Sequence, residues 1–329
     1  MITGHQQSDE MRRSRGLHRF AVLVACLTFV LIIAGALVTS NDAGLSVPDW
    51  PTSFGTFRVP RMVGGVKFED GHRMIAGVVA TLTVILAILI WAKDDRRWMK
   101  WLGGAAVLAV IVQAVLGGLG VLHYLETVLT VSHSLMAQIY FCIMASLALF
   151  SSPKWRWDSS KKEDSGRPGL RRVAVALSIV ILIQIMLGAI FRNEVQDQLG
   201  KAHYTHTIGV VPHIVGAGVV LVVAVWLLIS MLKVPGRDPA LAVTTIGLLT
   251  LVVIQIFLGI GVYMMMVFSQ AAPEPVTQVV IATVAHVAIG ALIFTGSVVV
   301  AYLAFRFTVR PAASSSVAAG NSMSGEAIR

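Results

Sequence analysis

The chain carries eight apolar runs, each long enough to cross roughly 30 Å of hydrocarbon as a helix rising about 1.5 Å per residue. They fall near 20–40, 73–92, 102–122, 128–150, 173–191, 208–232, 241–267 and 278–304. A water-soluble fold has no place for so much apolar surface: 56% of the 329 residues are hydrophobic and only 13% charged, against about 25% charged in a soluble domain. The expected fold is an all-α integral membrane protein of eight transmembrane helices. The first run is longer than the roughly 7–15 residues of a signal-peptide core, and no clear small-residue cleavage site follows it. It is therefore read as a retained helix.

Charge sets which way the helices point. If both termini lie in the cytoplasm, the inner segments hold 20 of the 26 Lys and Arg residues and the outer segments six, whereas the acidic residues divide nine and eight. That asymmetry is expected where Lys and Arg, rather than net charge, keep loops on the cytoplasmic side. It also accounts for the net charge of +9, so membrane lipid rather than nucleic acid is the expected surrounding. The implied division is a cytoplasmic segment 1–19, a first four-helix half 20–150, a polar cytoplasmic linker 151–172, a second four-helix half 173–304 and a cytoplasmic tail 305–329 expected to be disordered. Residues 1–19 include Asp9 and Glu10, unlike an acid-poor mitochondrial presequence, so the bacterial plasma (inner) membrane is the expected location. Cys26 and Cys142 both fall inside apolar runs and read as small buried residues rather than a disulfide or metal site.

The two halves repeat. His72-x3-Ala76-Gly77-Val78-Val79 in the second run returns as His213-x3-Ala217-Gly218-Val219-Val220 in the sixth, 141 residues later. Gln113-x2-Leu116-Gly117 in the third run returns as Gln255-x2-Leu258-Gly259 in the seventh, 142 residues later. His133 and His286, near the starts of the fourth and eighth runs, complete the pairing. Two strings in one order and one register point to two pseudo-repeated four-helix bundles, each with a histidine on its second and fourth helices.

Ionisable side chains inside membrane spans are expensive and are functional candidates. Two neutral imidazoles from facing helices of a bundle are what a haem iron takes as axial ligands. His72 with His133, and His213 with His286, are thus candidate ligands, all toward the outer face. Gly77, Gly218 and the neighbouring Gly216 are candidates for close approach of a flat macrocycle to a helix backbone. Zinc fits less well, because it takes three or four ligands close together and no His-x3-His or His-Glu-x2-His string supplies them on one helix. His5 and His18 are expected in solvent and His123 at the end of the third run, while His203 and His206 are a weaker candidate for a peripheral metal site.

The first outer loop, 41–71, contains Gly44-Leu-Ser-Val-Pro-Asp-Trp-Pro-Thr-Ser-Phe-Gly55. Its Pro and Gly residues set turns and its Trp50, Phe54 and Phe57 suit a membrane interface, as in a folded cap over the first half. Glu69 precedes His72 by three residues. If the helix starts early, both project from one face and the carboxylate reaches the edge of a bound haem, although the helix dipole alone also favours a carboxylate there.

Together these residues resemble the heme A synthase family, eight-helix membrane enzymes that oxidise a methyl group of heme O to the formyl group of heme A. The resemblance rests on Gly35-Ala-Leu-Val-Thr39, the Gly44-to-Pro51 part of the loop, Glu69-x2-His72-Arg73 and the histidines of the even-numbered runs, and it covers residues 20–304. No cysteine pair stands in the first outer loop, so the chain is similar to the cysteine-free branch that includes proteobacterial and mitochondrial forms. The resemblance implies that His213 and His286 hold a permanent haem b, that His72 and His133 flank the substrate heme O, and that Glu69 is the catalytic carboxylate beside the C8 methyl being oxidised. It further implies an electron donor, whose identity the sequence does not carry, and candidate contacts with the haem prenyltransferase or terminal oxidase assembly factors.

A bis-histidine iron has no open site for oxygen. Either one of His72 and His133 dissociates, or electrons leave through the macrocycle and positive charge develops at the methyl carbon, where Glu69 would stabilise it or accept a proton. The rival reading is a diheme membrane cytochrome b of the quinol or ferric reductase type, in which neither haem is altered. A transporter fits less well, because broken helices at matching positions are not apparent. A haem prenyltransferase would need Asp-rich magnesium sites.

Overall fold

The structure is a computed structural model and describes residues 4–153, 155, 161–164, 166, 169–198, 207–268 and 276–309. Among these residues are eight long helices: α1 (Gly4–Ser40), α2 (Val66–Lys93), α3 (Arg97–Leu122), α4 (Thr127–Ser151), α5 (Leu170–Gln198), α6 (Thr207–Leu232), α7 (Pro239–Phe268) and α8 (Thr277–Phe307). Each is long and apolar enough to cross a membrane, and the protein is a multi-pass membrane protein. Helices are the expected solution because hydrocarbon offers no partner to a backbone N–H or C=O. Their ends follow the apolar runs except where polar flanks stay helical. Helix α1 starts at Gly4 rather than near 20, and α2 at Val66 rather than 73, since propagating an existing helix costs far less than nucleating one. The early start of α2 brings Glu69 onto the same helix as His72.

Within each half the helices close into a ring. Helix α1 packs on α2 and α4, and α3 on α2 and α4; α5 packs on α6 and α8, and α7 on α6 and α8. The even helices are therefore diagonal across each bundle. The halves meet through α1 with α8, α4 with α5, and α4 with α8, a set that maps onto itself when the halves are exchanged. Because α4 and α8 carry this seam, 50% and 56% of their apolar spans are buried, against 22–33% in the other six. One core gathers around Leu86, Met99, Met144 and Leu147, a second around Leu177, Leu227, Met231 and Leu241. At the seam Phe29, Ile32, Phe141, Val287 and Ala291 form a third cluster. Leu108, Val222, Val243 and Phe257 point outward and are exposed, a surface for lipid rather than water.

Packing alters several expectations. Cys142 is buried, its Sγ 3.3 Å from Thr295 Oγ1, but Cys26 lies on the exposed side of α1. His18 is half-buried rather than free in solvent: α1 is already helical there and runs along α4, so its Nδ1 comes 2.9 Å from the Ala148 carbonyl. The linker and the tail meet each other. Strand β1 (Lys162–Glu163) pairs in parallel with β2 (Thr308–Val309), and Asp164 accepts from the N–H groups of Gly166 (3.0 Å) and Leu170 (2.7 Å) at the start of α5. Regular structure thus continues past residue 305, where a disordered tail was expected to begin. His203, His206 and residues 310–329 lie outside the described residues.

Candidate functional site

His72, His133, His213 and His286 each fall within the first three turns of an even helix. The odd helices run the other way, and what they present at that depth is glycine. His72 lies over Gly35 of α1, His133 over Gly117 of α3, His213 over Gly188 of α5 and His286 over Gly259 of α7. A Cβ on those glycines would stand 3.1, 2.9, 2.8 and 2.9 Å, in that order, from the Cε1 of the imidazole. Only a residue without a side chain lets a ring rest that close to a neighbouring backbone. The same seat, built four times, holds two imidazoles in each half on diagonal helices.

The ring centres of His213 and His286 are 6.3 Å apart, with planes at 67°. A metal–imidazole bond is about 2 Å and the ring centre lies roughly 1 Å beyond the nitrogen, so two axial imidazoles on one metal stand about 6 Å apart. The second pair has that spacing. His72 and His133 stand on α2 and α4, the diagonal helices of the first bundle. Among the described residues no group of three or more His, Cys, Asp or Glu side chains gathers as a metal cluster, which leaves facing pairs as the available donor sets.

Glutamines stand four residues before three of the seats. Gln113 places Nε2 3.2 Å from His133 Nε2 and its own backbone carbonyl 3.1 Å from His133 Nδ1. Gln184 Nε2 is 3.0 Å from His213 Nδ1 and donates to the His213 carbonyl at 2.8 Å. Gln255 Nε2 donates to the His286 carbonyl at 2.9 Å. The Oε1 atoms of all three glutamines, with Nδ1 of His72 and of His286, are buried without a hydrogen-bond partner. Buried polar atoms are seldom left so, except where a site binds something more. The donor set therefore fits a haem between His213 and His286, and the first half offers two histidines seated in the same way.

Of the glycines singled out from sequence, Gly216 is at the site, packed against the Gln184 amide. Gly77 and Gly218 are not: both are exposed, and a Cβ on either would meet nothing within 4 Å. Each follows its histidine by five residues, which turns it about 140° around the helix and out of the bundle. Gln184-Ile-Met-Leu187-Gly188 is the part that sequence reading missed. Gln113, Gln184 and Gln255 recur every 71 residues, half the offset between the halves, so a comparison at that shorter period would have found it.

The loop after α1 is a folded cap. Trp50 lies against Gly118 of α3, and Leu125 of the α3–α4 turn against Gly44, so the loop bridges both hairpins of the first half. On α2 it is held by buried charge. Glu69 and Asp70 are 4% and 5% exposed. Glu69 Oε2 accepts from Val47 N–H at 2.8 Å, Glu69 Oε1 pairs with Arg73 at 2.6 Å, and Asp70 accepts from Ser53 Oγ at 2.5 Å. Arg73 also donates to the carbonyls of Asp49 (2.8 Å), Thr52 (3.1 Å) and Val47 (3.4 Å). Glu69 thus lies at the histidine end of α2, as expected, but with both oxygens engaged by the cap and Arg73.

Asp49 organises the tip of the loop, accepting from the Thr52 hydroxyl and from the N–H groups of Phe54 (2.7 Å) and Gly55 (2.8 Å). The Thr52 hydroxyl first, and then the Gly55 N–H, hold its carboxyl below the ordinary value of 3.8. A depressed carboxylate stabilises the turn above its unfolded value and loses that contribution only as pH falls through the folded one. Protease cleavage within 49–55 should therefore be the same at about pH 8 and pH 5 and rise only in stronger acid, whereas Asp49→Asn should raise it at every pH.

Residues 67–198 match the family described as cytochrome oxidase assembly protein, COX15-CtaA. The chain is 29% identical over 187 residues to the heme A synthase of Lysinibacillus sphaericus (strain C3-41), covering 56% of this chain and 60% of that protein. It is 32% identical over 136 residues to the heme A synthase of Bacillus pumilus (strain SAFR-032), covering 40% of this chain and 44% of that protein. The chain thus spans less than two thirds of the length of the relatives it matches. The family match takes in Glu69, His72, His133 and the Gly188 seat and stops before His213 and His286. Through this region, the chain is similar to the COX15-CtaA family of cytochrome oxidase assembly proteins.

Proposed function

We propose that the protein is a heme A synthase, oxidising the C8 methyl of heme O to a formyl group to make heme A for terminal oxidases. What carries the reading is the pair of facing imidazoles in each half, each seated on a glycine of the neighbouring helix, with the 6.3 Å separation of His213 and His286 suited to one iron between them. In this reading the half 173–304 holds a resident haem b through His213 and His286, and the half 20–150 binds heme O as substrate between His72 and His133. A haem held there would supply one-electron transfer between the substrate half and an external redox partner.

The chain's own residues do the rest. Gly35 and Gly117 let the two imidazoles stand against neighbouring backbone and so set the plane in which substrate lies. The cap over this half limits entry of water. Glu69, on the helix of His72, stabilises positive charge developing at the methyl carbon or takes its proton. The Lys and Arg asymmetry supports an orientation with both termini in the cytoplasm and the four histidines toward the outer side, in what this reading takes to be a bacterial plasma membrane. A haem prenyltransferase and terminal oxidase assembly factors are the fitting neighbours, since one supplies heme O and the others use heme A.

The test is to purify the protein from cells making heme O, extract its haems and separate them by chromatography, beside His72→Ala and Glu69→Gln. The wild type should yield haem b with heme O or heme A. His72→Ala should yield haem b alone, and Glu69→Gln should retain heme O while making far less heme A. Haem b alone in the wild type would overturn the reading, and a Glu69→Gln protein making heme A at the wild-type rate would remove Glu69 from the chemistry.

A further inference from the structure

Inward of the histidines the two halves are not alike. Tyr140 stands seven residues beyond His133 on α4, Thr28 seven before Gly35 on α1, and Thr83 eleven beyond His72 on α2. Those spacings are close to whole turns, so all three share the bundle-facing side of their helices with the seats, and Tyr140 lies about 10 Å inward of His133. Tyr140 Oη is 2.5 Å from Thr83 Oγ1 and meets Thr28 as well. All three side chains are buried. The repeat puts Ile181, Ala224 and Ile293 at the equivalent points of the second half, 153, 141 and 153 residues on, and these are buried too. Burying hydroxyls costs more than burying the apolar set that fills the same place in the other bundle, so packing alone does not ask for them.

The protons of this cluster are already assigned. Thr28 donates to the Val24 carbonyl and Thr83 to the Val79 carbonyl, each at 2.8 Å. Tyr140 is therefore the donor to Thr83, and its oxygen keeps the capacity to accept from one further O–H or N–H. Between the cluster and the imidazoles, α2 and α4 present only Ala76 and Ala137, one turn beyond His72 and His133, and both keep accessible surface. The two haems of the reading above differ in a matching way: heme O carries a hydroxyl-bearing alkyl chain where haem b carries a vinyl group. We propose that Tyr140, oriented by Thr83 and Thr28, is a specificity-determining residue that accepts a hydrogen bond from that hydroxyl and so directs heme O to the first half. Ile181, Ala224 and Ile293 leave such a hydroxyl unpaired in the second half and favour haem b there, since a polar group without a partner is what a site rejects most strongly. This rests on the assignment of substrate to His72 and His133 given above.

The test is the haem content of the full-length protein purified from cells making haem b and heme O in similar amounts, with haems extracted, separated by chromatography and counted per chain. The wild type is compared with Tyr140→Phe and Thr83→Val, both of which keep the side-chain shape. The wild type should carry one haem b and one hydroxyl-bearing haem, heme O or heme A. Tyr140→Phe should still carry two haems, but with the first half's preference for the hydroxyl-bearing one reduced about tenfold, the scale of one hydrogen bond. Thr83→Val, which removes the partner that orients Tyr140, should shift the composition the same way by less. A wild-type composition in Tyr140→Phe, or in Thr83→Val where Tyr140→Phe does not fold, overturns the inference. So does loss of haem from the first half without a change of preference, which is what a packing residue would give. Wild-type protein with haem b alone, or with no haem, overturns the reading the inference rests on, so the two failures are told apart by the wild-type sample.

Discussion

If His213 and His286 hold a haem as proposed, Gly188→Val should strip it from the second half while the chain remains folded. A bare Cβ at 188 would stand 2.8 Å from His213 Cε1, and the two branches of valine reach further. The imidazole is rigid and its helix is packed on both sides, so the ring must swing away from the point it shares with His286. A metal site loosened by about 1 Å loses most of its function, and a fall in haem retention of about 10–100-fold is the expected scale. Gly259→Val, with its Cβ 2.9 Å from His286 Cε1, should do the same from the other side. Gly218→Val is the control, because that glycine faces outward into open space. Haem per chain after purification, with a melting curve for each variant, checks the prediction. Retention of haem by Gly188→Val beside its loss in Gly218→Val would place the binding surface on the opposite face of the helices.

Arg73→Met should open the cap. Its guanidinium meets the Glu69 carboxylate and three loop carbonyls, and without it Glu69, 4% exposed, keeps only backbone N–H groups of the cap such as that of Val47, and no countercharge. Breaking a buried ion pair costs about 3–5 kcal/mol, mostly from the charge left behind. Because the Arg73 side chain is itself 19% exposed, the lower end, about 3 kcal/mol, is expected. The signs are a lower melting temperature and rapid cleavage within 41–65, while the helices stay protected. Arg73→Met combined with Glu69→Met should recover much of the loss, since no buried charge then remains unpaired. A loop in Arg73→Met as resistant as in the wild type would mean that Trp50 on Gly118 and Leu125 on Gly44, rather than the ion pair, hold the cap.

The two variants probe features that differ in how far sequence could reveal them. Apolar run length was enough for all eight spans, because hydrocarbon thickness permits few other readings of such a chain. The four histidines stood out because ionisable groups are scarce in spans, and the 141-residue recurrence of the His72 and His213 strings paired the halves. Glu69 was legible through its three-residue spacing from His72, but Arg73 was read only as part of a motif. Its role depends on loop carbonyls 21 to 26 residues away in the chain, and no local pattern encodes that.

Glycine is where one-helix reasoning met its limit. Gly77 and Gly218 sit beside histidines in the chain and face away from them in space, whereas Gly35, Gly117, Gly188 and Gly259 sit on other helices and touch them. Periodicity ranks the faces of a single helix, but in a bilayer both faces are apolar, so the hydrophobic pattern that orients a soluble helix is nearly silent. Number of spans, their order, the repeat and the identity of the candidate ligands were therefore determined by sequence alone. The rotation of each helix, and with it the glycine seats and the glutamine partners, was decided only by tertiary packing, because close contact between helices is set by small residues on two chain segments at once.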